Sequence, residues 1–511
     1  MGMKWRHWAW PAAPLALVLL AATGCTGTSD AGAKPSASPS MSGSRAAVAR
    51  ICDKPSGGPT KAPKGAVTVD PKKVNDLAAK TKSHPAGTTF WLRPGKHRLK
   101  AARYAQVIPK KGDIYIGAPG AVLDGRKVNQ YAFGGQASDV EIRHLTVERF
   151  VPPQNEGVVN HGSADRWIIE NSTIQRNKGA AMMTGAHQRI RANCLRDNGQ
   201  YGVNGYKDGD TARGLVVEGN EVVGNNTDDW EKKQPGCGCT GGMKFWAVDG
   251  ADIRGNWIHD NRGAGLWADN NNNDFLIENN LIESNDGAAL MYETSYNAIV
   301  RNNTMRNNNW VGSRRSAERG DSFPYGTIYV SEAGGEPRVK ARTDKLDIYR
   351  NLLENNWNGI TLWENSNRYC NSPANTSTGE CTLLVKDLKK CARPGIAKPP
   401  LYDDCRWKTQ RVDIHDNRFV LDKSVVKCTE KCDRMGVLSL YGTYPDWSPY
   451  KGTKVGKAIA LKQHNRWHDN VYRGSWKFVV EDQSKVVDRE DWQDAPYKQD
   501  AGSTFGRKAG G

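Results

Sequence analysis

The chain has 511 residues, a formal net charge of +17 and a hydrophobic fraction of 38 %, and 53 of its residues are glycine. This composition fits a thin-cored protein with many turns better than a helical globule. The basic residues are scattered, and no segment resembles a nucleic-acid-binding module, so we expect no nucleic-acid partner.

The N-terminus has the features of an export signal. Basic residues precede a short apolar run over 11–22, which is too short to span a bilayer. The sequence Ala-Thr-Gly before Cys25 resembles the bacterial lipobox, which implies cleavage of a signal peptide at 1–24 and lipidation of Cys25. The alternative is an ordinary secretory signal followed by a chance cysteine.

Residues 25–50 are rich in Ser, Ala, Gly and Pro and have almost no apolar bulk. This composition predicts a disordered tether between the lipid anchor and the folded part. We therefore expect the protein at the extracellular face of the cytoplasmic membrane, anchored through Cys25.

The cysteine count supports export. Ten cysteines follow Cys25, and an even number outside a reducing compartment favours disulfides; they are Cys52, Cys194, Cys237, Cys239, Cys370, Cys381, Cys391, Cys405, Cys428 and Cys432. The two short spacings at 237–239 and 428–432 are zinc half-sites at most, since the chain has no second well-spaced His or Cys pair. We expect no zinc.

The basic charge bears on the choice of partner. A basic surface on an exported protein suits a uronic-acid polysaccharide, a teichoic acid or an anionic membrane surface. The alternative is a generally basic, solvated surface without a specific partner.

The first folded segment resembles a known family. Residues 67–100 predict an N-terminal cap with a short helix at 74–80. The sequence Gly-Thr-Thr-Phe at 87–90 and the sequence Gly-Ala-Pro-Gly-Ala-Val-Leu-Asp-Gly at 117–125 follow. This combination resembles the opening coils of exported right-handed parallel β-helix proteins of the pectate-lyase-like superfamily.

A repeated unit, apolar-x-x-Asn-x-apolar-x-x-Asn, organises the rest of the chain. It occurs at 253–261, 277–285 and 300–308, and its first asparagines, Asn256, Asn280 and Asn303, follow one another at a nearly constant period. Such a period is typical of a solenoid of stacked β-coils whose Asn side chains bond from coil to coil. Further copies begin at Ile190, Val217, Ile348 and Ile414, and a degenerate copy begins at Ile169.

The repeats predict an all-β, right-handed parallel β-helix as a single domain at 51–511. We expect the coils at about 101–440 and a closing segment at 441–511. Insertions at 227–238, 310–324 and 368–408 interrupt the repeat and should leave as loops. The last of these contains four cysteines, so we expect it to be stapled by disulfides.

A column of carboxylates is the strongest functional signal. One strand of each unit ends in an acid at the same apparent register, at Asp269, Glu293, Glu332 and Glu364. Adjacent coils lie about 4.8 Å apart, which suits the separation of about 5 to 5.5 Å in retaining glycosidases. The pattern Trp-x-Asp with Glu one coil later resembles β-helix β-xylosidases, which implies Asp269 as nucleophile and Glu293 as acid/base.

Other interpretations of this column stay open. The carboxylates could end each strand at a turn, or bind Ca²⁺. In addition, Glu332 and Glu364 share parity with inward residues, so they would be buried unless the strand bends outward.

Aromatic residues beside the column are candidate sugar-binding residues. Tyr292, Tyr329 and Trp363 are predicted to face outward and, with Trp267, to form a stacking platform. Such rows can also be aromatic stacking ladders of the β-helix itself.

Lys244 supports a second function. It lies one coil before Asp269, nearly in register, where a Ca²⁺-dependent lyase acting on an acidic glycan would place its base. The structural alternative is a lysine that neutralises Asp269. The favoured prediction is a monomeric, polysaccharide-active glycoside hydrolase that needs no cofactor; the alternatives are that lyase and a non-catalytic, adhesin-like carbohydrate binder.

Overall fold

A computed structural model describes residues 50–54, 57–207, 209–235, 237–373, 381–393, 395–429, 431–440, 445–452, 455 and 457–506. The predicted signal peptide, the Cys25 lipidation site and nearly all of the tether lie outside these residues. Within them, no helix combines the length and the apolar character that crossing a bilayer requires.

The described residues form three long sheets. The first has 13 strands, in spatial order β1 (Val67–Val69), β2 (Thr89–Leu92), β4 (Ile114–Gly117), β6 (Glu141–Arg143), β9 (Ile168–Glu170), β12 (Arg189–Arg191), β15 (Ala212–Glu218), β18 (Val248–Arg254), β21 (Asn273–Glu278), β24 (Tyr296–Arg301), β27 (Leu346–Tyr349), β30 (Val412–His415) and β33 (Arg466–His468).

The second sheet also has 13 strands, which are β3 (Gly95–His97), β5 (Ala121–Asp124), β7 (Thr146–Glu148), β10 (Thr173–Gln175), β13 (Cys194–Arg196), β16 (Glu221–Val223), β19 (Trp257–His259), β22 (Leu281–Glu283), β25 (Thr304–Arg306), β28 (Leu352–Glu354), β31 (Arg418–Val420), β34 (Val471–Arg473) and β37 (Thr504–Gly506).

The third sheet has 11 strands, which are β8 (Gly157–Val159), β11 (Ala180–Met183), β14 (Val203–Gly205), β17 (Met243–Phe245), β20 (Leu266–Ala268), β23 (Leu290–Glu293), β26 (Ile328–Ser331), β29 (Ile360–Asn365), β32 (Arg434–Leu440), β35 (Lys477–Glu481) and β36 (Val486–Val487). Its last strand, β36, is antiparallel to β35.

Successive strands of the chain pass from one sheet to the next, and each pairs in parallel with the strand one coil away. This arrangement confirms the predicted parallel β-helix. The core is a single column of inward residues, because alternate side chains of every strand point to the same interior. The paired strands continue to β37, so the stack extends beyond the predicted boundary at residue 440.

Two asparagine ladders run along the stack, as the repeat predicts. In each ladder the side-chain amide donates to the Oδ1 atom of the asparagine in the next coil, at 2.9 to 3.2 Å. The amide's other hydrogen goes to a backbone carbonyl, for example from Asn280 to Ile253 at 2.9 Å. These bonds satisfy buried polar groups at every turn.

Short helices occupy the cap and the insertions. They are α1 (Asp76–Ser83), α2 (Trp230–Lys233), α3 (Trp310–Glu318), α4 (Leu401–Asp404), α5 (Lys423–Val426), α6 (Ala458–Leu461) and α7 (Arg489–Gln493), with 3₁₀ turns at Leu388–Cys391 and Gly395–Ala397. The predicted cap helix therefore forms slightly later than expected, at α1.

Four disulfides staple the fold. They join Cys52 to Cys194, Cys370 to Cys381, Cys391 to Cys405, and Cys428 to Cys432. Two of them close the insertion at 368–408, as predicted. The prediction of disulfides for all ten cysteines is wrong for Cys237 and Cys239, which are buried thiols in this structure.

Candidate active site on the third sheet

The structure places Asp269 and Glu293 in register on adjacent coils. In β20 and β23, Ala268 pairs with Tyr292, and the two acids are the next residues along. Ala268 and Tyr292 are fully buried, so strand alternation turns the acids to the outer face. The expected register of this pair is therefore found.

Lys244 reaches Asp269 from a neighbouring register position. Its partner in the strand pairing is Trp267, but its Nζ atom lies 2.8 Å from Asp269 Oδ2. The same ammonium donates to the Gly238 carbonyl at 2.6 Å and lies 4.0 Å from the Trp267 ring centroid. Lys244 is thus held as a cation by a carboxylate, a carbonyl and an aromatic face.

Glu293 is held by donors on two sides. The indole N–H of Trp267 donates to Glu293 Oε2 at 3.1 Å, and Arg368 forms an ion pair with Oε1. Arg368 also donates to Glu332 Oε2 at 2.9 Å. Lys244 thus binds Asp269 and lies over the Trp267 ring, whose N–H binds Glu293. Arg368 then joins Glu293 to Glu332.

The side chains of this cluster are largely buried but keep some contact with solvent. The side chains of Lys244, Asp269 and Glu293 are 10 %, 14 % and 9 % exposed. Burial raises the pKa of Asp269, and the Glu293 charge raises it further, while Lys244 opposes both effects. Asp269 and Glu293 therefore differ in electrostatic environment, with the raised pKa on Asp269.

The remaining two acids are not in that register. Glu293 pairs with Ser331, and Ser331 pairs with Trp363. Glu332 and Glu364 therefore lie one position further along, on the inward parity, and both side chains are fully buried. The prediction of a single four-residue column is wrong, whereas the predicted burial on parity grounds is found.

Each buried acid is compensated by an arginine from the Cys-rich insertion. Arg406 forms an ion pair with Glu364, whose Oε2 also accepts from the Thr409 amide at 2.9 Å and from Gln463 at 2.6 Å. Glu332 accepts from Ser331 Oγ at 2.6 Å besides Arg368. Burial raises the pKa of Glu332 to about 7, against the opposing charge of Arg368.

The predicted aromatic platform is only partly present. Tyr292 points into the core and donates to the Tyr296 carbonyl at 2.9 Å, so its predicted outward orientation is wrong. Tyr329 and Trp363 lie on the outer face but are each 7 % exposed, because Phe323 packs edge-on against both. Trp267, by contrast, stays partly exposed beside the acids.

Two features of the site were not found from the sequence. Arg368 links Glu293 to Glu332, yet it is one of 72 Lys and Arg residues and carries no local motif. The Gly238 carbonyl positions Lys244, but it lies in the 227–238 insertion, outside the repeat. The segment after Cys381 also returns to the site, since Thr382 accepts from Asn271 at 2.6 Å.

The side chains of the described residues bear on whether the site could hold a metal ion. Within them no cluster of three or more His, Cys, Asp or Glu side chains is arranged to hold an ion. Near Asp269 and Glu293 the neighbouring charged groups are the cations of Lys244 and Arg368, which compete with a divalent cation for the carboxylates.

Comparison with known proteins identifies the architecture. A family model described as "Right handed beta helix region" matches residues 233–378. The fold of the described residues is a right-handed parallel β-helix, and this family match covers part of it. No curated protein sequence matches it significantly.

Several solved structures are similar to this chain at low identity. The structure of XylC in complex with xylose is 11 % identical to this chain, with a TM-score of 0.45; the match covers 80 % of this chain and 83 % of XylC. The mannuronan C-5 epimerase AlgE4 A-module of Azotobacter vinelandii shows 12 % identity and a TM-score of 0.38; the match covers 72 % of this chain and 94 % of the A-module. The catalytic unit of the GH87 α-1,3-glucanase of Streptomyces thermodiastaticus shows 12 % identity and a TM-score of 0.40; the match covers 82 % of this chain and 68 % of the glucanase chain.

Proposed function

We propose that this β-helix protein is a glycoside hydrolase acting on a polysaccharide, with Asp269 and Glu293 as its reacting pair. One observation supports the proposal above all: the two carboxylates lie in register on adjacent coils, facing outward, in different polar environments. Adjacent strands are about 4.8 Å apart, which suits the carboxylate separation of a retaining mechanism.

We assign the two roles in the reverse order to the one that the β-xylosidase resemblance implies, and the environments of the two carboxylates support this order. Glu293 accepts from Arg368 and Trp267, so its anion is stabilised and serves as the nucleophile. Burial raises the pKa of Asp269, which therefore serves as the proton donor.

In the first step, a Glu293 oxygen attacks the anomeric carbon while Asp269 gives its proton to the departing glycosidic oxygen. The glycosidic C–O bond breaks, and a glycosyl ester forms on Glu293. In the second step, Asp269 takes a proton from water, whose oxygen attacks the anomeric carbon and releases Glu293. Lys244, 2.8 Å from Asp269, steadies the Asp269 anion between the steps.

The lyase alternative is less favoured by the position of Lys244. A general base must offer a lone pair to the substrate proton, whereas the Lys244 ammonium donates to Asp269 and to Gly238. The hydrolase mechanism requires no metal, and the lyase would require Ca²⁺. The binder alternative requires neither reaction.

The other sequence-based expectations belong to the same proposal. We infer a monomer held at the outer face of the cytoplasmic membrane through lipidated Cys25. The net charge of +17 favours an acidic polysaccharide as its substrate.

The test is an assay of the purified protein on a panel of neutral and acidic polysaccharides, following reducing ends and near-ultraviolet absorbance together. We expect reducing ends without absorbance, unaffected by EDTA. Both Asp269→Asn and Glu293→Gln should lower turnover by roughly a thousandfold, whereas Glu318→Gln, at an exposed position of α3, should leave it unchanged.

Other outcomes would reject the hydrolase. Absorbance that rises with reducing ends and disappears with EDTA would establish the lyase. Binding without product, unchanged in Asp269→Asn and Glu293→Gln, would establish the carbohydrate binder.

A further inference from the structure

Cys237 and Cys239 differ from the other cysteines of the described region. The remaining eight form disulfides, whereas these two are free thiols, separated by one glycine. Both are buried, with exposures of 9 % and 2 %. They end the 227–238 insertion, where it rejoins the third sheet.

The Cys-Gly-Cys segment folds into a tight turn that brings the two sulfur atoms to the same side. The backbone N–H of Cys239 donates to Cys237 Sγ at 3.2 Å, and the Cys239 thiol donates to the Cys237 carbonyl at 3.3 Å. Gly238 makes this turn with φ of +58°, a conformation that other residues adopt at a cost.

The surroundings favour reaction at one of the two sulfurs. Gln154 donates from Nε2 to Cys239 Sγ at 2.9 Å. The hydrogen bond with Cys237 lowers the pKa of Cys239, and the nearby Lys244 charge lowers it further, against the effect of burial. Thiolate character of this kind is what thiol–disulfide exchange requires.

The same turn is part of the candidate active site. The Gly238 carbonyl, between the two cysteines, accepts from Lys244 Nζ at 2.6 Å. Gly238 also lies directly against Trp267, since a Cβ atom there would come within 2.7 Å of that indole ring. Any change in the Gly238 peptide therefore reaches the two residues that contact Asp269 and Glu293.

We propose that Cys237 and Cys239 are a redox-active dithiol that closes to a disulfide and thereby displaces Lys244 from the Gly238 carbonyl. The pair cannot close while the Cys239 N–H and the Cys237 carbonyl hold the sulfurs in the present hydrogen bonds. Closing the small ring rotates the intervening peptide, and the carbonyl that binds Lys244 turns with it. The effect on turnover rests on the proposed function, whereas the dithiol itself does not.

The oxidant is a small-molecule disulfide. One thiolate of the pair attacks a sulfur of that disulfide, so that a mixed disulfide forms and one small thiolate leaves. The second thiolate attacks the protein sulfur of the mixed disulfide, which releases the second small thiolate. Two electrons pass from the pair to the oxidant, and the two protein protons pass to the departing thiolates.

The chemical state can be read from one tryptic peptide. Cleavage after Lys233 and Lys244 gives residues 234–244, which contain both cysteines and no other. We expect this peptide to lose two hydrogen atoms after treatment of the full-length protein with oxidised glutathione. As the dithiothreitol concentration is raised, the Cys237–Cys239 disulfide should be reduced at a lower concentration than the four structural disulfides, because a disulfide closed over a single residue is strained.

The link to Lys244 is tested by thermal unfolding, which needs no substrate. We expect oxidation to shift the unfolding midpoint of the wild type. In Lys244→Met the shift should be at most half as large. In the Cys237→Ser/Cys239→Ser double variant, oxidised glutathione should have no effect on either measurement. If the hydrolase is active, oxidation should lower its turnover by roughly tenfold to a hundredfold.

The outcomes separate this proposal from the proposed function. A peptide that stays reduced, or that reopens only together with the structural disulfides, would reject the labile dithiol whatever the activity. A closed peptide with equal shifts in wild type and Lys244→Met would reject the coupling. An inactive protein that shows the closed peptide and the Lys244-dependent shift would reject the hydrolase and keep the redox pair.

Discussion

Two pairs of acids lie at the ends of strands of the same sheet, but they differ in register and in burial. Asp269 and Glu293 follow inward residues and keep a small exposure at the outer face, whereas Glu332 and Glu364 lie one position further along and are fully buried against Arg368 and Arg406. Because side chains alternate along a strand, a single residue of register changes whether a carboxylate stays at the outer face beside Lys244 or is covered by the Cys-rich insertion.

The two pairs also differ in how their charge is compensated. The outward pair is bound by Lys244 and by Arg368, which stays 24 % exposed. Glu364 is bound by Arg406, which is only 4 % exposed. The outward pair therefore keeps contact with solvent, whereas the buried ion pair joins the Cys-rich insertion to the stack, and Arg368 contacts both Glu293 and Glu332.

The largest effect on stability is expected for Arg406→Met. This substitution leaves Glu364 buried without its cation, and breaking a buried ion pair costs about 3–5 kcal/mol of unfolding free energy. Denaturant unfolding should show this loss, while Arg418→Met, at an exposed position of β31, should change the unfolding free energy by less than about 0.5 kcal/mol. A loss for Arg406→Met no larger than for Arg418→Met would remove the structural role assigned to the buried pair.

The next effect is a pH dependence that comes from Glu332. Its folded pKa of about 7 exceeds the ordinary value of 4.5, so the folded state holds this proton more tightly than the unfolded chain does. The resulting stabilisation is complete below pH 4.5 and is lost as the pH rises through 7, a change of about 3 kcal/mol.

The measurement is the unfolding free energy at several pH values from 4 to 8. The Glu332→Gln variant should lack this contribution and show a flatter profile, whereas Glu318→Gln should follow the wild type. If the unfolding free energy of the wild type increases over this pH range by as much as it is expected to decrease, the raised pKa of Glu332 is contradicted.

The comparison also explains what the sequence could predict. The asparagine repeat placed the coils correctly, since each Asn bonds to the Asn of the next coil even where an insertion separates the two in sequence. The same regularity put Asp269 beside Glu293. The alignment failed at Glu332 because it matched Gly287 with Gly326, whereas the structure pairs Leu290 with Ile328.

Contacts from the insertions were beyond this kind of reasoning. Arg368 reaches Glu293 over 75 positions of sequence, and Lys244 depends on the Gly238 turn. Nothing in a repeat pattern fixes where an irregular loop returns. The covering of Tyr329 and Trp363 has the same origin, since Phe323 comes from the insertion at 310–324.

The smallest effect in this comparison concerns Trp267, whose indole N–H donates to Glu293 at 3.1 Å. Trp267→Phe removes that donor but keeps an aromatic face under Lys244, so turnover should fall by about tenfold, equivalent to about 1.4 kcal/mol. A matched control exists on the second sheet, where the Trp257 indole donates to Glu283 at 2.7 Å.

Trp257→Phe should lower the unfolding free energy by a similar amount to Trp267→Phe, because each variant loses one hydrogen bond to a carboxylate. Only Trp267→Phe should lower turnover, measured under substrate saturation. Equal turnover in the two variants would mean that the indole holds the fold and not the reacting carboxylate. Glu293 would then depend on Arg368 alone for its position, and Arg368→Met would become the decisive variant for the outward pair.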